Sequence, residues 1–231
     1  MDVNYQGDVM AESNTAVEEK AVRPKLSRAA RNEEVRTRLF EAAAAVVGRL
    51  GYAEASVARI TEHAKVAQGT FYGHFANRQS LLDQLLPTMG AKMVAYIQAR
   101  LNATTSSAER EIERFRAFFD FLRASPEFLR ILNEAEIFAP NGYQRHLDNI
   151  ATAYVRILKR DRNARGIDDY SDQELEAIVH ILMGARGYLS RRYAYTEGSA
   201  HAVPEYVISA YEKLMTRGLY GPSSREKDPD T

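Results

Sequence analysis

Five residues within seven consecutive positions, Gln68, Gly69, Thr70, Tyr72 and His74, have the chemistry of a nucleic-acid reader. A glutamine amide donates and accepts as a fork, which suits an adenine edge in the major groove. The missing side chain at Gly69 lets the backbone come close, and Thr70 offers a methyl to thymine or a hydroxyl to a base or phosphate. Tyr72 and His74 are placed to touch phosphates, and Gly73 leaves room where a bulkier residue would contact a base. Catalysis has no comparable support. Histidines 63, 74, 146, 180 and 201 form no His-Glu-x-x-His pair, and neither a Gly-x-Ser-x-Gly elbow nor a phosphate-cradling loop occurs. The chain has no cysteine, which removes disulfides, thiolate metal sites and cysteine nucleophiles. Neither an enzyme nor a cofactor or metal is expected.

These residues need a scaffold that presents them. Ser56 caps a short helix to Ala64 with Val57, Ile60 and Ala64 facing inward; Lys65 to Ala67 make a tight turn; Gln68 to Phe75 form a second short helix held by Val66, Phe71 and Phe75. Two short helices around a tight turn are a helix-turn-helix, whose second helix enters the major groove. Tyr72 is either a phosphate contact or core. Phe71 and Phe75 already take the core face at i and i+4, which favours the former. His74 shares the face of Thr70 and Gly73. Ahead of this unit a helix starts at Asn32 as N-cap, repeats Val35, Leu39, Ala42, Val46 and Leu50, and stops at Gly51.

The charge pattern points the same way. The whole chain is neutral, but residues 23–78 carry ten Lys/Arg against five Asp/Glu, a local excess that draws phosphate backbones. Residues 1–22 are polar and acidic without a helical stripe and read as disordered, with no signal-peptide pattern. Arg23 to Arg28 form a basic arm, either a flexible leader or a phosphate contact. No apolar run reaches the length of a membrane span, so no membrane partner is expected, and the lack of cysteine suits a cytoplasmic setting.

Gly51-Tyr52, Ser56-Val57, Ile60, Ala64, Val66, Gly69-Thr70-Phe71-Tyr72, His74-Phe75 and Leu81-Leu82 resemble the N-terminal domain of the tetracycline-repressor (TetR) family over residues 31–86. Two positions depart from the family pattern: Lys65 stands where glycine is usual in the turn, and Ala67 where a small hydroxyl residue caps the third helix. The resemblance implies an all-α homodimer, with a three-helix helix-turn-helix domain and a larger C-terminal helical domain for effector binding and dimerisation. The expected divisions are 1–30 leader, 31–78 DNA-binding domain, 79–220 effector and dimer domain, and 221–231 disordered tail. The implied partners are double-stranded palindromic operator DNA and a small apolar or aromatic effector that releases a repressor. The alternatives are a regulator whose response is absent or activating, and a sensor that no longer binds DNA. Arg78 matches the family's phosphate-contacting lysine; Ser56, Arg59 and Lys65 are further DNA-side candidates.

Beyond residue 78 the pattern stays helical. The expected helices are 81–101 with Pro87 as a kink or break, 108–124, 126–138, 143–161 after a break at 139–142, Ser171 to Tyr195 with Glu174 in a capping box, and 204–220. The aromatic residues of the middle helices are either plain core or a ligand cavity. As cavity they nominate Phe118, Phe121, Phe138, Tyr143 and Tyr154, with Asn133, Glu134, His146 and Arg186 as orienting polar groups. The resemblance assigns dimer contacts to the last two helices at Ile178, Ile181, Leu182, Ala185, Leu189, Val207, Tyr211 and Leu214, against the alternative of packing within one chain.

Overall fold

The structure, a computed structural model, describes residues 27–101, 106–163, 170–196 and 199–219. The N-terminal leader, most of the basic arm and the C-terminal tail lie outside these residues. The described residues form nine α-helices, two π-helical turns and one minute hairpin.

Helix α1 (Arg28–Leu50) starts earlier than the expected cap at Asn32. The Ser27 hydroxyl accepts from the Ala30 amide, so Asn32 lies inside the helix. Gly51 ends it with φ 87°, a conformation open to glycine. Helix α2 (Val57–Ala64) is capped by Ser56, and α3 (Gln68–Tyr72) stops sooner than the expected Phe75. Helix α4 (Arg78–Gln98) opens with a reciprocal Asn77–Ser80 capping box. It runs through Pro87 without ending there, so the proline does not break it.

Helices α5 (Ser107–Ala124), α6 (Glu127–Phe138), α7 (Pro140–Asn163) and α8 (Asp172–Leu189) complete the larger bundle. The expected break at 139–142 shrinks to Ala139, because Pro140 takes the first helical position, where its missing N–H costs nothing. The Ser171–Glu174 capping box forms. That helix leaves α geometry at Ser190, passes through a π turn and reaches the hairpin β1 (Tyr195–Thr196) and β2 (Ser199–Ala200). Helix α9 (Glu205–Leu214) follows Pro204 and ends in a second π turn, Met215–Leu219. Among the described residues no helix is long and apolar enough to cross a membrane.

The buried apolar residues form one continuous cluster from Leu39 on α1 to Leu219. Two contacts tie its N-terminal part to the bundle. On α6, Glu134 accepts the Tyr52 amide at 2.8 Å and pairs with Arg130 at 2.7 Å, while Arg130 donates to the Arg49 carbonyl at 3.0 Å. These side chains cap the C-terminal end of α1, where carbonyls lack helical partners. Helices α4 and α7 pack through close backbone approach. A Cβ on Gly142 would stand 2.4 Å from the Asp83 carbonyl oxygen, and one on Gly90 2.3 Å from His146 Nδ1.

Candidate nucleic-acid interface and effector cavity

The α2–α3 unit presents its polar residues outward from an aromatic base. Phe71 and Phe75 are buried, and Phe40 of α1 meets Phe75 edge-on at 5.4 Å. Tyr72 is 57% exposed with its ring edge against Phe71, so it lies outside the core. Gln68, Gly69, Gly73 and Lys65 are exposed, and Thr70 and His74 half-buried. A Cβ on Gly69 would touch nothing within 4 Å, so the glycine leaves open space on the outer face.

The turn takes the backbone that the Lys65 departure raised as a cost. Lys65 has φ 54° and ψ 47°, the left-handed region. Its amide bonds the Glu62 carbonyl at 3.1 Å and the Val66 amide bonds Thr61 at 3.0 Å, closing α2 in the manner that favours glycine. Ala67 gives α3 no side-chain cap, as its type requires.

The basic candidates differ in how free they are. Lys65 projects from the turn and is exposed. Ser56 uses its hydroxyl to accept from the Arg59 amide at 3.3 Å. Arg59 donates to the Glu54 carbonyl at 2.8 Å and pairs with the Glu54 carboxylate. Arg78 turns inward: Nε donates to the Ala55 carbonyl at 2.7 Å and Nη2 to the Tyr52 carbonyl. Its first role is to lock the start of α4 onto the loop before α2.

Between α4, α5, α6, α7 and α8 lies a cavity of about 990 Å³. Six of the nine sequence-nominated ligand residues line it: Phe118, Asn133, Tyr143, His146, Tyr154 and Arg186. The other three do not. Phe121 packs into the aromatic core against Tyr96 and Phe128, and Phe138 stacks on Tyr52 at 6.1 Å. Glu134 also faces elsewhere, at the α1 end described above. His146 is buried against Gly90 and Phe128, and burial lowers its imidazole to about 4. It is therefore neutral at ordinary pH.

The inner wall carries a group that sequence reading did not assemble. Glu111 of α5 is fully buried, and its Oε1 accepts from Arg186 Nη2 at 2.5 Å, Tyr154 OH at 2.5 Å and Tyr211 OH at 2.6 Å. Burial holds the Tyr154 hydroxyl well above the ordinary tyrosine range, opposed by Arg186 and reinforced by the Glu111 carboxylate. It stays protonated and donates. The available signal was Glu111 and Arg114 standing on the same helical stripe as Phe115, Phe118 and Leu122.

Several of the expected dimer residues lie inside the chain's own core. Leu182, Val207 and Tyr211 are buried, the last stacked on Phe115 at 3.8 Å. Ile178, Ala185 and Leu189 are half-buried. Ile181 and Leu214 are 66% and 65% exposed, and sequence reading missed two comparable neighbours, Tyr188 and Tyr206.

Residues 39–85 match the model for bacterial regulatory proteins of the tetR family. Over this segment the chain is similar to the TetR family. The match covers the α1–α4 segment that carries the helix-turn-helix. Over 98 residues the chain is 26% identical to an HTH-type transcriptional regulator of Haemophilus influenzae, covering 42% of this chain and 52% of that one. It thus spans about half the length of that relative. The fold extends further than the sequence match. A TetR-family regulator from Syntrophomonas wolfei superposes with a TM-score of 0.68 at 17% identity, covering 81% of this chain and 97% of that one. The regulator FadR from Bacillus subtilis, solved in complex with stearoyl-CoA, gives 0.61 at 14% identity, covering 81% and 99%. These TetR-family neighbours share both the N-terminal unit and the helical bundle.

Proposed function

We propose that this chain is a ligand-responsive transcriptional repressor acting in the cytoplasm. It binds palindromic operator DNA as a homodimer and is released by a small apolar or aromatic effector. One observation carries the reading: α4 belongs to both sites. Its first residue, Arg78, is bonded to the loop that leads into α2, and Met93, Val94 and Ile97 near its other end line the cavity. A ligand that displaces the far end of a continuous helix shifts its near end. Two recognition helices then lose the spacing that fits successive major grooves. The complex of Bacillus subtilis FadR with stearoyl-CoA supports a ligand site in this fold.

In this reading Gln68, Gly69 and Thr70 address base edges. Tyr72, His74, Lys65 and the α2 N-terminus at Ser56 hold phosphates. Arg59 and Arg78 shape the loop beneath and touch phosphate with what remains of their donors. The second copy covers Ile181, Tyr188, Tyr206 and Leu214, apolar side chains that a monomer would leave in water.

The test is selection of bound sequences from random DNA with the full chain, followed by sedimentation of the complex and a screen for molecules that release it. The expected result is a two-fold symmetric site bound by two protomers and freed by a cavity ligand. Enrichment of no sequence would defeat the DNA reading. A cavity ligand that leaves operator affinity unchanged would defeat the response.

A further inference from the structure

The cavity's inner wall has more buried positive charge than negative. Arg114 and Arg186 both line it, and the carboxylate between them is Glu111 alone. Glu111 Oε1 already takes three donors, one of them from Arg186. Arg114 reaches only Oε2, at 3.4 Å, longer than the usual charge-assisted bond of roughly 2.7–2.9 Å. Its Nε–H has no acceptor among the described residues, although the residue is 6% exposed. Nearby, the half-buried Arg110 pairs with the buried Asp161 at 3.5 Å. A guanidinium in the cavity wall with one long contact to a shared carboxylate is a costly arrangement unless an anion completes it.

From this, and resting on the ligand-responsive reading above, we propose that Arg114 is the floor of a carboxylate subsite. The effector is an apolar chain or ring with one free carboxylate, inserted head first. Its two oxygens face the donor edge of Arg114, with Arg186 and the Tyr154 ring alongside. A planar carboxylate matches a guanidinium fork, and the guanidinium it meets is on a side chain only 6% exposed. Phe118, Phe128, Leu132, Ile150 and Ile157 surround the apolar body. Glu136, the one acidic residue among the described residues lining the cavity, is exposed, and the Glu111 carboxylate behind the wall is already held by Arg186, Tyr154 and Tyr211. Arginines 156, 160 and 191 are also exposed, so their charges are solvated and select less strongly.

The experiment is calorimetric binding to the full-length protein without DNA, so that failure of the regulatory reading leaves its outcome standing. The probes are dodecanoate, dodecanol and the coenzyme A thioester of dodecanoate. The wild type is expected to bind dodecanoate at least roughly tenfold more tightly than the alcohol. Arg114→Gln is expected to abolish that preference while holding the alcohol as before, and Arg156→Gln to leave it intact. Arg114→Lys, which keeps the charge and loses the fork, is expected to fall between. Equal binding of acid and alcohol by the wild type overturns the proposal without any variant, as does binding of neither. A thioester bound as tightly as the acid, with both unaffected by Arg114→Gln, would place the head at the outer arginines and overturn it too.

Discussion

Lys65→Gly separates the conformational demand of the turn from the demand of the DNA face. At φ 54° and ψ 47° a non-glycine residue pays about 1–2 kcal/mol relative to glycine. Glycine returns part of this, about 0.4–1 kcal/mol, through the larger freedom of the unfolded chain. The net expectation is a gain of roughly 0.5–1 kcal/mol, which raises Tm by about 2 °C in a chain of this size. The two closing bonds, Lys65 N–H to Glu62 and Val66 N–H to Thr61, have backbone donors and survive the change. The lost ammonium acts in the opposite sense on DNA. With one phosphate contact per protomer removed from a dimer, the log–log salt dependence of binding flattens by about 2. Calorimetric melting and a salt-titrated operator-binding assay read the two effects independently. Lys65→Asn, which tolerates the same backbone, should reproduce the DNA effect. A lower Tm for Lys65→Gly would refute the conformational argument, and an unchanged salt slope would remove Lys65 from the interface.

Glycines 69 and 142 are expected to respond oppositely to alanine. Gly69→Ala meets open space and gains helix propensity, so stability should hold or rise by up to about 1 kcal/mol while operator affinity falls; a destabilised protein or intact affinity would contradict this. Gly142→Ala forces a methyl against the Asp83 carbonyl and should cost about 1–3 kcal/mol in chemical denaturation. Gln68→Ala should relax sequence preference at one position of each half-site without lowering Tm. Arg78→Ala should weaken binding to all DNA and also destabilise the fold by about 1–3 kcal/mol, because the Tyr52 and Ala55 carbonyls lose their donor. Equal effects of both variants on Tm would refute that distinction. For His146, the folded imidazole titrates near 4 and the unfolded one near 6.5, so as pH falls through this window the unfolded state takes up the proton first. Stability should therefore be flat above pH 6.5 and decline below it, by about 3 kcal/mol at the limit, and a His146→Gln variant with the same slope would dismiss the histidine as the cause.

What was legible in the sequence was local. Ser56, Gly51 and the Ser171–Glu174 box mark helix ends because the residues that cap or stop a helix lie within a few positions of its end, and spacing records it, whereas the Asn77 cap puts the start of α4 three residues before the expected Leu81. The motif from Gly69 to Phe75 was legible because two phenylalanines at i and i+4 fix which face is inside. Errors came where two local signals competed or where a partner lay far along the chain. Asn32 looked like a cap because two glutamates follow it, yet Ser27 supplies the cap and the helix runs on past Asn32. Pro140 looked like a break, though a proline is equally at home in a first turn. Phe138 looked like a cavity aromatic, but its neighbour is Tyr52, more than eighty residues earlier. The Glu111 cluster joins α5, α7, α8 and α9, and no spacing within one helix announces such a meeting.

Pro87 gives the proposed signal a physical route. A proline at position 87 lacks the N–H that would bond the carbonyl four residues earlier, at Asp83. That same carbonyl faces Gly142 in the first turn of α7, so closely that a Cβ there would stand 2.4 Å away. The freed acceptor therefore meets the positive end of a helix dipole rather than an intrahelical donor. One turn further along α4, Gly90 meets His146, which also lines the cavity. Helix α7 thus touches α4 at its weakest point and at the cavity wall together. A ligand that shifts α7 changes both contacts, and α4 yields where it already lacks a bond. Pro87→Ala restores the donor and should make α4 stiffer, raising Tm by about 2–4 °C per kcal/mol gained. Operator affinity without ligand should stay near wild type, since the change is remote from α3. The ligand concentration needed for release should rise several-fold, and by linkage the ligand should bind more weakly in the absence of DNA. Release that occurs at the wild-type concentration in Pro87→Ala would show that α4 moves as a rigid body and that its proline takes no part.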